Sequence, residues 1–548
     1  MQPDPLIEWL IRRWSLPLQA VPQVELLLEA EADGSSACRL ETPFEFSNTP
    51  ACSKNGVTAP LVATRASDGD YLQSWRMHQA ESEIARRLVQ TARSEFTPKE
   101  EDVLRSFFPG AADDDRQMLA AATACRRQLA LVTGGPGTGK TYVLARIIAL
   151  LGSSASNSLP IRLAAPTGKA AERMKKAVAD SLAALPSGGH ADPARLRQIA
   201  ESSCNLHVLL GYNPAKGSCR YHRNNPLPCA ALIVDECSMI DVLLWQALLD
   251  ALPATARLIL LGDPDQLQSV GQGKVFSDVV HEARQVQSPL HPCHVHLTEA
   301  RRFINSPDII GLAQALQEAD ENAAADLLER NEGDRNGSGG VSWHPMKQGR
   351  LSCAKFPPPI LQCLKQVAGA ASPEAAIEAL SKVCILTAQK EYFVGSRALS
   401  LQIQSFMEKQ GTLRNCPVII DRNDPETGLK NGMIGIMHED TEGRKKAWFS
   451  GGDGKMKDYA VARLPEHSPA WAITIHRSQG SEYDNLLVVL PQEESPMATR
   501  ELLYTAITRA RSHVHIAGVI ESVRKAVKTP SARITLLGNA LKNASRKV

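Results

Sequence analysis

The sequence predicts an α/β fold with two successive parallel sheets, a small helical N-terminal domain and a small inserted β-barrel. In residues 113–290, short apolar runs alternate with helical segments, and the pattern returns after residue 359. Such alternation is typical of parallel strands covered by helices. Residues 411–466 instead show short alternating segments with turn signals at Asn431-Gly432 and Asp453-Gly454, which favours the barrel.

Composition narrows the class of protein. The 548 residues are 43% hydrophobic and 22% charged, which excludes a disordered chain, a coiled-coil rod and a single small binding module. The net charge of +2 means that any nucleic-acid binding depends on local grooves. The 12 cysteines are scattered without a CxxC pair, so we expect reduced structural thiols. An acidic N-terminus and the lack of a long apolar window predict a cytoplasmic protein without a membrane segment.

The pattern along the chain predicts the following organisation. Residues 1–112 form a mainly helical domain, with helices at 6–14 and 71–88 and a loop at 42–69. A role in docking a partner is an alternative for this domain. The remaining predicted domains are a first α/β domain at 113–290 with a small insertion near 200–230, a second at 291–410 and 467–548, and the insertion at 411–466.

The expected strands of the first sheet each end in a motif. They are residues 129–133, 162–165, 232–235 and 258–261. Ligands of open α/β sheets bind at the carboxyl ends of the strands, so these motifs should converge on one crevice. A Gly/Pro-rich break at 331–359 leads to the second sheet, whose expected strands are 383–387, 486–490 and 514–517.

The first motif is a glycine-rich loop that follows an apolar strand and opens a helix at 141–151. It fits GxxxxGK[ST], in which backbone N–H groups enclose phosphate oxygens, the lysine reaches the β and γ phosphates and the hydroxyl serves Mg²⁺. Its residues are Gly134, Gly135, Pro136, Gly137, Thr138, Gly139, Lys140 and Thr141. The pattern predicts an ATP site with bound Mg²⁺.

Carboxylates, an amide and arginines follow at later strand ends and in the second half. Asp235 and Glu236 end an apolar strand, where Asp235 would hold Mg²⁺ and Glu236 would orient and deprotonate water. Gln266 follows the next strand and would sense the γ-phosphate. An arginine of Arg301-Arg302-Phe303, and Arg509, would stabilise transition-state charge across a cleft. Each motif also has a structural alternative: a solvated strand end for Asp235 and Glu236, an ordinary turn for the Gln266 segment, and solvated side chains for the arginines.

Taken in order, these motifs resemble the superfamily 1 helicases. The matching segments are 134–141, 165–171, 234–239, 262–267, 302–303, 474–482 and 503–511. Within that superfamily the chain is similar to the RecD family, the alpha subunits of exodeoxyribonuclease V, at 423–435 and at 463–467 before Trp471. The resemblance covers about 115–520. It implies two RecA-like P-loop NTPase domains and an SH3-like insertion.

The resemblance also implies a 5′-to-3′ DNA helicase of the RecBCD complex, with RecB- and RecC-like partners and with single-stranded and duplex-end DNA as substrates. It assigns adenine recognition to Gln117, further nucleotide contacts to Gly480 and Glu482, and arginine fingers to Arg302 and Arg509. Arg302 is preferred to Arg301 because it keeps the place before Phe303. The implied DNA contacts are Pro166, Thr167, Lys169, Thr474 and His476.

Three other interpretations remain open. The chain is a structural subunit that binds ATP and DNA, a stand-alone helicase of the same superfamily, or an ATPase that ignores nucleic acid. No nuclease site is recognised in the sequence, and the acidic run at 113–115 just ahead of Gln117 is interpreted as a helix start. In the resembling family, the nuclease belongs to the beta subunit.

Overall fold

The computed structural model describes residues 4–42, 51–53, 59–112, 114–153, 160–185, 192–299, 306–333, 339–346, 353–391, 394–439, 442–451, 455–491 and 498–547. Contacts divide the chain into two units. The first contains Met1–Pro264, Gln268–Glu299 and Ala532–Val548, and the second contains Asp265–Leu267 and Ala300–Ser531.

The N-terminal part of the first unit combines helices with a small sheet. Its elements are α1 Pro5–Trp14, α2 Val21–Ala32, β1 Cys38–Leu40, β2 Cys52–Ser53, β3 Leu61–Ala66, β4 Gly69–Ser74, α3 Trp75–Ala92 and α4 Glu101–Ser106. The strand order is β1-β4-β3-β2. The predicted loop at 42–69 is therefore wrong where β2 and β3 lie, and the predicted helix at 71–88 begins only at Trp75. The first residues of that segment form β4 because they pair with β1 and β3 on either side, which local periodicity does not reveal.

The first parallel sheet follows. Its segment contains α5 Arg116–Arg126, β5 Leu129–Gly134, α6 Lys140–Gly152, β6 Ile161–Ala165, α7 Gly168–Ala183, α8 Pro193–Glu201, β7 Cys204–Asn205, α9 Leu206–Leu210, β8 Tyr212–Asn213, β9 Ser218–Cys219, β10 Ala231–Val234, α10 Val242–Ala251, β11 Arg257–Gly262, α11 Val275–Ala283 and β12 His294–Leu297. The strands of this sheet run parallel in the order β12-β5-β11-β10-β6-β7. The four predicted strands are confirmed.

Burial explains why these apolar runs form central strands. Alternate residues of β5 join two different cores, Leu129 and Leu131 on one face and Ala130 and Val132 on the other. A strand buried on both faces needs apolar side chains throughout. The edge strand β12 lies beyond the boundary predicted at residue 290, because it pairs with β5 and so belongs to the first sheet.

The second unit contains another parallel sheet. Its elements are α12 Pro307–Gln317, α13 Glu321–Arg330, β13 Val341–Pro345, α14 Pro358–Gly369, α15 Pro373–Leu380, β14 Val383–Thr387, α16 Ser396–Lys409, β15 Asn415–Ile420, β16 Ile434–Glu439, β17 Lys445–Ser450, β18 Met456–Ala460, β19 His467–Pro469, β20 Ile473–Thr474, α17 Ile475–Ser478, β21 Tyr483–Val489, α18 Arg500–Ile507, β22 Ala510–Gly518 and α19 Ile520–Lys528. The parallel order is β13-β22-β21-β14-β20.

The three strands predicted for this sheet are confirmed as β14, β21 and β22. The predicted break at 331–359 is wrong at Val341–Pro345, because β13 pairs with β22. Its partner is far along the chain, so nothing in the local Gly/Pro-rich composition indicates this strand.

The inserted segment forms an antiparallel sheet in the order β18-β17-β16-β15-β19. Val418, Ile420, Ala447 and Phe449 are buried in its own small core. This explains the alternating texture of the sequence, since one face of each strand turns inward. The SH3-like barrel remains a proposal.

The C-terminal helix α20, Leu537–Lys547, packs on α3 and belongs to the first unit. This differs from the predicted assignment of residues 467–548 to the second domain. Across the described ranges, none of the helices combines the length and the apolarity needed to cross a membrane.

Candidate functional site

The glycine-rich loop joins β5 to α6, and two of its glycines adopt a backbone conformation that other residues disfavour. Gly137 has φ +77° and Gly139 has φ +88°. At Gly134, an added Cβ would lie 2.6 Å from Thr138 Oγ1 and 3.0 Å from the Leu297 carbonyl oxygen. The loop therefore requires glycine for its shape, which leaves backbone close to the space where phosphates are expected.

Lys140 is held inside this loop. Its Nζ donates to the carbonyl oxygens of Gly134 at 2.6 Å and Gly135 at 2.9 Å, and Thr138 Oγ1 donates to Gly135 O at 2.8 Å. Thr141 follows in the first turn of α6 and is half-buried. A cation at a helix N-terminus surrounded by loop backbone fits a polyphosphate.

Gln117 supports the loop from α5. Its side-chain Nε2 donates to the carbonyl oxygen of Thr138 at 3.0 Å, and the residue is 6% exposed. Asp115 caps α5 by accepting from the backbone N–H groups of Gln117 and Met118. This cap confirms the helix start predicted there, whereas Asp113 lies outside the described residues.

Asp235 and Glu236 follow β10, the strand between β6 and β11. Asp235 N donates to Ala164 O at 3.0 Å, and Asp235 Oδ1 accepts from Glu236 N at 2.8 Å. Burial and the neighbouring Glu236 charge raise the pKa of Asp235 from 3.8 to about 6, although the charge of Lys140 opposes this shift. Two adjacent carboxyls at a half-buried strand end fit a divalent cation, which would neutralise their repulsion.

Glu236 adopts φ +55°, one of few left-handed residues other than glycine in the described chain. This conformation costs about 1 kcal/mol or more for a residue with a Cβ, and such strain clusters at functional sites. It turns the chain sharply after β10, into the short helical turn Cys237–Met239. The strain thus falls on the residue assigned to water activation.

The segment after β6 places the predicted DNA-contact residues at the start of α7. Thr167 Oγ1 caps the helix by accepting from Ala170 N at 3.2 Å, and Lys169 is exposed. Pro166 is buried. Thr167 and Lys169 therefore lie at the surface end of the motif, whereas Pro166 shapes the backbone beneath them.

In the second unit, Gln266 and Arg509 contact each other. Arg509 Nη2 donates to Gln266 Oε1 at 2.8 Å and Arg509 Nε donates to Thr505 O at 3.2 Å. Thr505 Oγ1 also accepts from Leu267 N at 2.7 Å. Gln266 and Arg509 are 5% and 3% exposed, so the structure brings together two residues that the sequence placed in separate motifs.

The remaining predicted residues of the second unit lie around α17. Thr474 ends β20, and His476 in α17 is half-buried. Gly480 has φ +71°. Glu482, assigned to the nucleotide, forms an ion pair with Arg511, whose Nε lies 3.5 Å from Glu482 Oε2. Arg301 and Arg302 lie outside the described residues.

Ser400 is a structural residue of this region whose role the sequence did not show. Its Oγ donates to Ala472 O at 3.1 Å and accepts from Ala472 N at 3.0 Å, and the side chain is fully buried. Both bonds fix the backbone just before Thr474. Because the partner lies 72 residues away in sequence, only the fold reveals the contact.

Comparison with known proteins places these features in a family. Residues 117–272 match the AAA domain and residues 469–517 the UvrD-like helicase C-terminal domain. The RecBCD enzyme subunit RecD of Haemophilus influenzae is 30% identical over 485 residues, covering 80% of this chain and 74% of that protein. RecBCD enzyme subunit RecD of Mycolicibacterium smegmatis is 34% identical over 460 residues, covering 81% and 77% respectively.

More distant similarities also involve helicases. The ATP-dependent RecD2 DNA helicase of Deinococcus radiodurans is 28% identical, covering 71% of this chain and 47% of that protein. A crystal structure of Pif1 helicase from Candida albicans aligns with 16% identity and a TM-score of 0.40, covering 80% of this chain and 100% of that chain. Because relatives at 30% and 34% identity align over about three-quarters of their own length, the chain belongs to the RecD family.

Proposed function

We propose that the chain is an ATP-driven DNA helicase motor that moves 5′ to 3′ on single-stranded DNA. The observation that carries this proposal is the loop between β5 and α6, in which backbone carbonyls position Lys140. Its charge lies close enough to Asp235, after β10, to act on the pKa of that carboxyl. Two relatives named RecD subunits of the RecBCD enzyme support the assignment. The direction of movement comes from the family resemblance.

ATP would supply the phosphoryl group, and Mg²⁺ would neutralise the negative charge of the phosphates. Lys140 and the loop glycines bind the phosphates, Thr141 and Asp235 hold the metal, and Glu236 orients and deprotonates the attacking water. Gln117 binds the adenine edge while it supports the loop. The proposed second-unit contributions to the nucleotide are Gln266, Arg509, Gly480 and Glu482 together with Arg302.

DNA contacts are proposed for surface loops that follow sheet strands. Thr167 and Lys169 begin α7, and Thr474 and His476 begin α17. Short polar and basic side chains of this kind bind phosphates without reading bases, which suits a motor that must move along any sequence. Pro166 shapes the first of these loops.

The proposed biological setting is a heterotrimer with RecB- and RecC-like subunits. It would act at duplex ends in double-strand break repair and homologous recombination, and its proposed location is the cytoplasm. The proposed architecture is one RecA-like domain built on the sheet that includes β12 and a second built on the sheet that includes β13. An N-terminal domain that combines helices with a small sheet and an SH3-like insertion at 411–466 complete it.

Unwinding of duplexes with a 5′ or a 3′ single-stranded tail tests the proposal. The purified chain should unwind only 5′-tailed duplexes, and Lys140→Gln should abolish unwinding because it removes the phosphate-binding cation. If single-stranded DNA stimulates ATP hydrolysis but no unwinding occurs, the motor is intact and requires its partner subunits. Efficient and processive unwinding by the isolated monomer would favour a stand-alone helicase.

Two further outcomes would overturn the proposal. If added single-stranded DNA leaves the rate of ATP hydrolysis unchanged, the chain is an ATPase that acts independently of nucleic acid. If Lys140→Gln left unwinding by the reconstituted heterotrimer unchanged, the chain would be a structural subunit. A variant at exposed Lys216, changed to Gln, controls for loss of a positive charge elsewhere in the first unit.

A further inference from the structure

The short turn at 474–479, which carries the proposed DNA contacts Thr474 and His476, has one buried and one charged side. On the buried side, Ile475 and Ser478 are fully enclosed, and Ser478 Oγ donates to Ile475 O at 2.7 Å. On the charged side, Arg477 is directed at a carboxylate of another element. The turn is therefore fixed by packing on one side and by an ion pair on the other.

The carboxylate belongs to Asp421, the residue after β15 in the inserted sheet. Arg477 Nη2 donates to Asp421 Oδ1 at 2.7 Å, and Ser468 Oγ donates to Asp421 Oδ2. Lys390 Nζ lies 3.7 Å from Asp421 Oδ1. Only 7% of the Asp421 side chain is exposed, whereas 26% of Arg477 and 45% of Lys390 are exposed.

Asp421 is the fixed partner of this ion pair. Its backbone N–H donates to Glu466 O at 2.8 Å, so both its main chain and its side chain are anchored to the strand region around β19. Burial acts to raise the pKa of Asp421, but hydrogen bonds from Ser468 and Arg477 and the nearby cations outweigh it and lower the pKa. An ionised, immobile acceptor orients a guanidinium more strictly than a solvated one.

We propose that Asp421 and Arg477 are positioning residues that set the geometry of the DNA-contacting turn, and that Arg477 binds the protein and not a DNA phosphate. The inference rests on the proposed function. Arg477 directly follows His476 in the chain. A displacement of the Arg477 side chain therefore moves the backbone that carries His476. The inserted sheet thereby acts on DNA binding through one carboxylate.

Equilibrium binding of a fluorescent single-stranded oligonucleotide by the full chain, measured at several salt concentrations, tests this. Asp421→Asn and Arg477→Gln should each weaken binding by roughly fivefold to tenfold, because each removes a charge-assisted hydrogen bond that orders the turn. The double variant should bind the oligonucleotide as tightly as the single variant with the lower affinity, because both changes break the same interaction.

The salt dependence separates positioning from direct contact. Each phosphate contact to a single strand contributes about 0.7 to the slope of log affinity against log salt. Arg477→Gln should leave this slope unchanged, whereas Lys169→Gln, at a proposed phosphate contact, should lower it by about 0.7. A comparable fall in slope for Arg477→Gln, or tighter binding by Asp421→Asn, would overturn the inference.

Two further variants guard against a general loss of folding. Asp458→Asn removes an exposed carboxylate that pairs with Lys446 in the same sheet, and it should bind like the wild type. Arg477→Lys keeps the positive charge that pairs with Asp421, so it should restore part of the binding that Arg477→Gln loses while keeping the wild-type salt slope. If the wild type fails to bind single strands, the proposed function fails. If it binds and Asp421→Asn changes nothing, only this inference fails.

Discussion

The side-chain amide of Gln117 donates a hydrogen bond of 3.0 Å to the carbonyl oxygen of Thr138, so α5 supports the glycine-rich loop directly. A side chain at Gly139 would collide with the same amide nitrogen. The position of the Gln117 side chain therefore requires glycine at residue 139. The amide retains a second N–H and an acceptor oxygen, which leaves it able to bind adenine while it supports the loop.

Gln117→Ala should consequently impair both loop geometry and base selection. We expect the KM for ATP to rise by about tenfold, because a buried carbonyl loses its donor and the loop loses its support. The ratio of kcat/KM for ATP to that for GTP should fall towards one. Steady-state hydrolysis with both nucleotides measures this, and exposed Gln90→Ala on α3 is the control. An unchanged nucleotide ratio would contradict adenine recognition by Gln117.

Glu236→Gln should separate nucleotide binding from hydrolysis. Loss of the general base should lower turnover by at least about a hundredfold, while the loop still binds ATP. The amide also removes the charge that helps to raise the pKa of Asp235, so nucleotide affinity in the presence of Mg²⁺ should stay the same or improve. Fluorescent nucleotide binding and phosphate release measure the two effects. Turnover close to that of the wild type would exclude Glu236 as the base.

The sequence predicted the central strands and the loop well because their signals are local. Strands such as 129–133 and 232–235 are continuous apolar runs followed by motif residues, and burial on both faces of a parallel sheet leaves little ambiguity. The hairpin of β3 and β4, which closes at the pair Ala66 and Gly69, escapes prediction because the helical spacing of 71–88 extends over β4. The strand β13 escapes prediction because its pairing with distant β22, and not its own periodicity, determines it. For the same reason no sequence pattern showed the contact of Ser400 with Ala472 or of Asp421 with Arg477.

Gln266→Glu should raise stability and lower activity together. Arg509 is a buried cation that donates to Gln266 Oε1, and a carboxylate there would form a charge-assisted pair, with a gain of about 1 kcal/mol and a higher Tm. The same pair would engage both residues that are proposed to act on the γ-phosphate and would add negative charge, so turnover stimulated by single strands should fall at least about tenfold.

Thermal unfolding and stimulated hydrolysis provide the two measurements. Exposed Gln402→Glu on α16 introduces the same charge elsewhere in the second unit and should leave hydrolysis unchanged. A Gln266→Glu variant that is more stable and fully active would show that the contact between Gln266 and Arg509 is structural only.

Glu81 should make the stability of the first unit depend on pH. The side chain is 1% exposed on α3, and it accepts hydrogen bonds from Ser36 Oγ, from Gln73 Nε2 at 2.9 Å and from Leu536 N at 3.2 Å. It thus joins the N-terminal sheet to the segment that leads into α20. Burial raises the pKa of Glu81 from 4.5 to about 7, and the hydrogen bonds oppose this only in part.

Because the folded-state pKa exceeds the unfolded one, the folded protein keeps a proton that the unfolded chain releases between pH 4.5 and about 7. The free energy of unfolding should therefore fall as pH rises through that window, by up to about 3 kcal/mol. Nearby Asp278, whose pKa burial also raises, adds a slope of the same sign. Urea unfolding from pH 5 to 8 should show a flatter profile for Glu81→Gln, whereas exposed Glu25→Gln on α2 should keep the wild-type slope. An equal slope in Glu81→Gln would mean that Glu81 is already ionised in the folded protein at low pH.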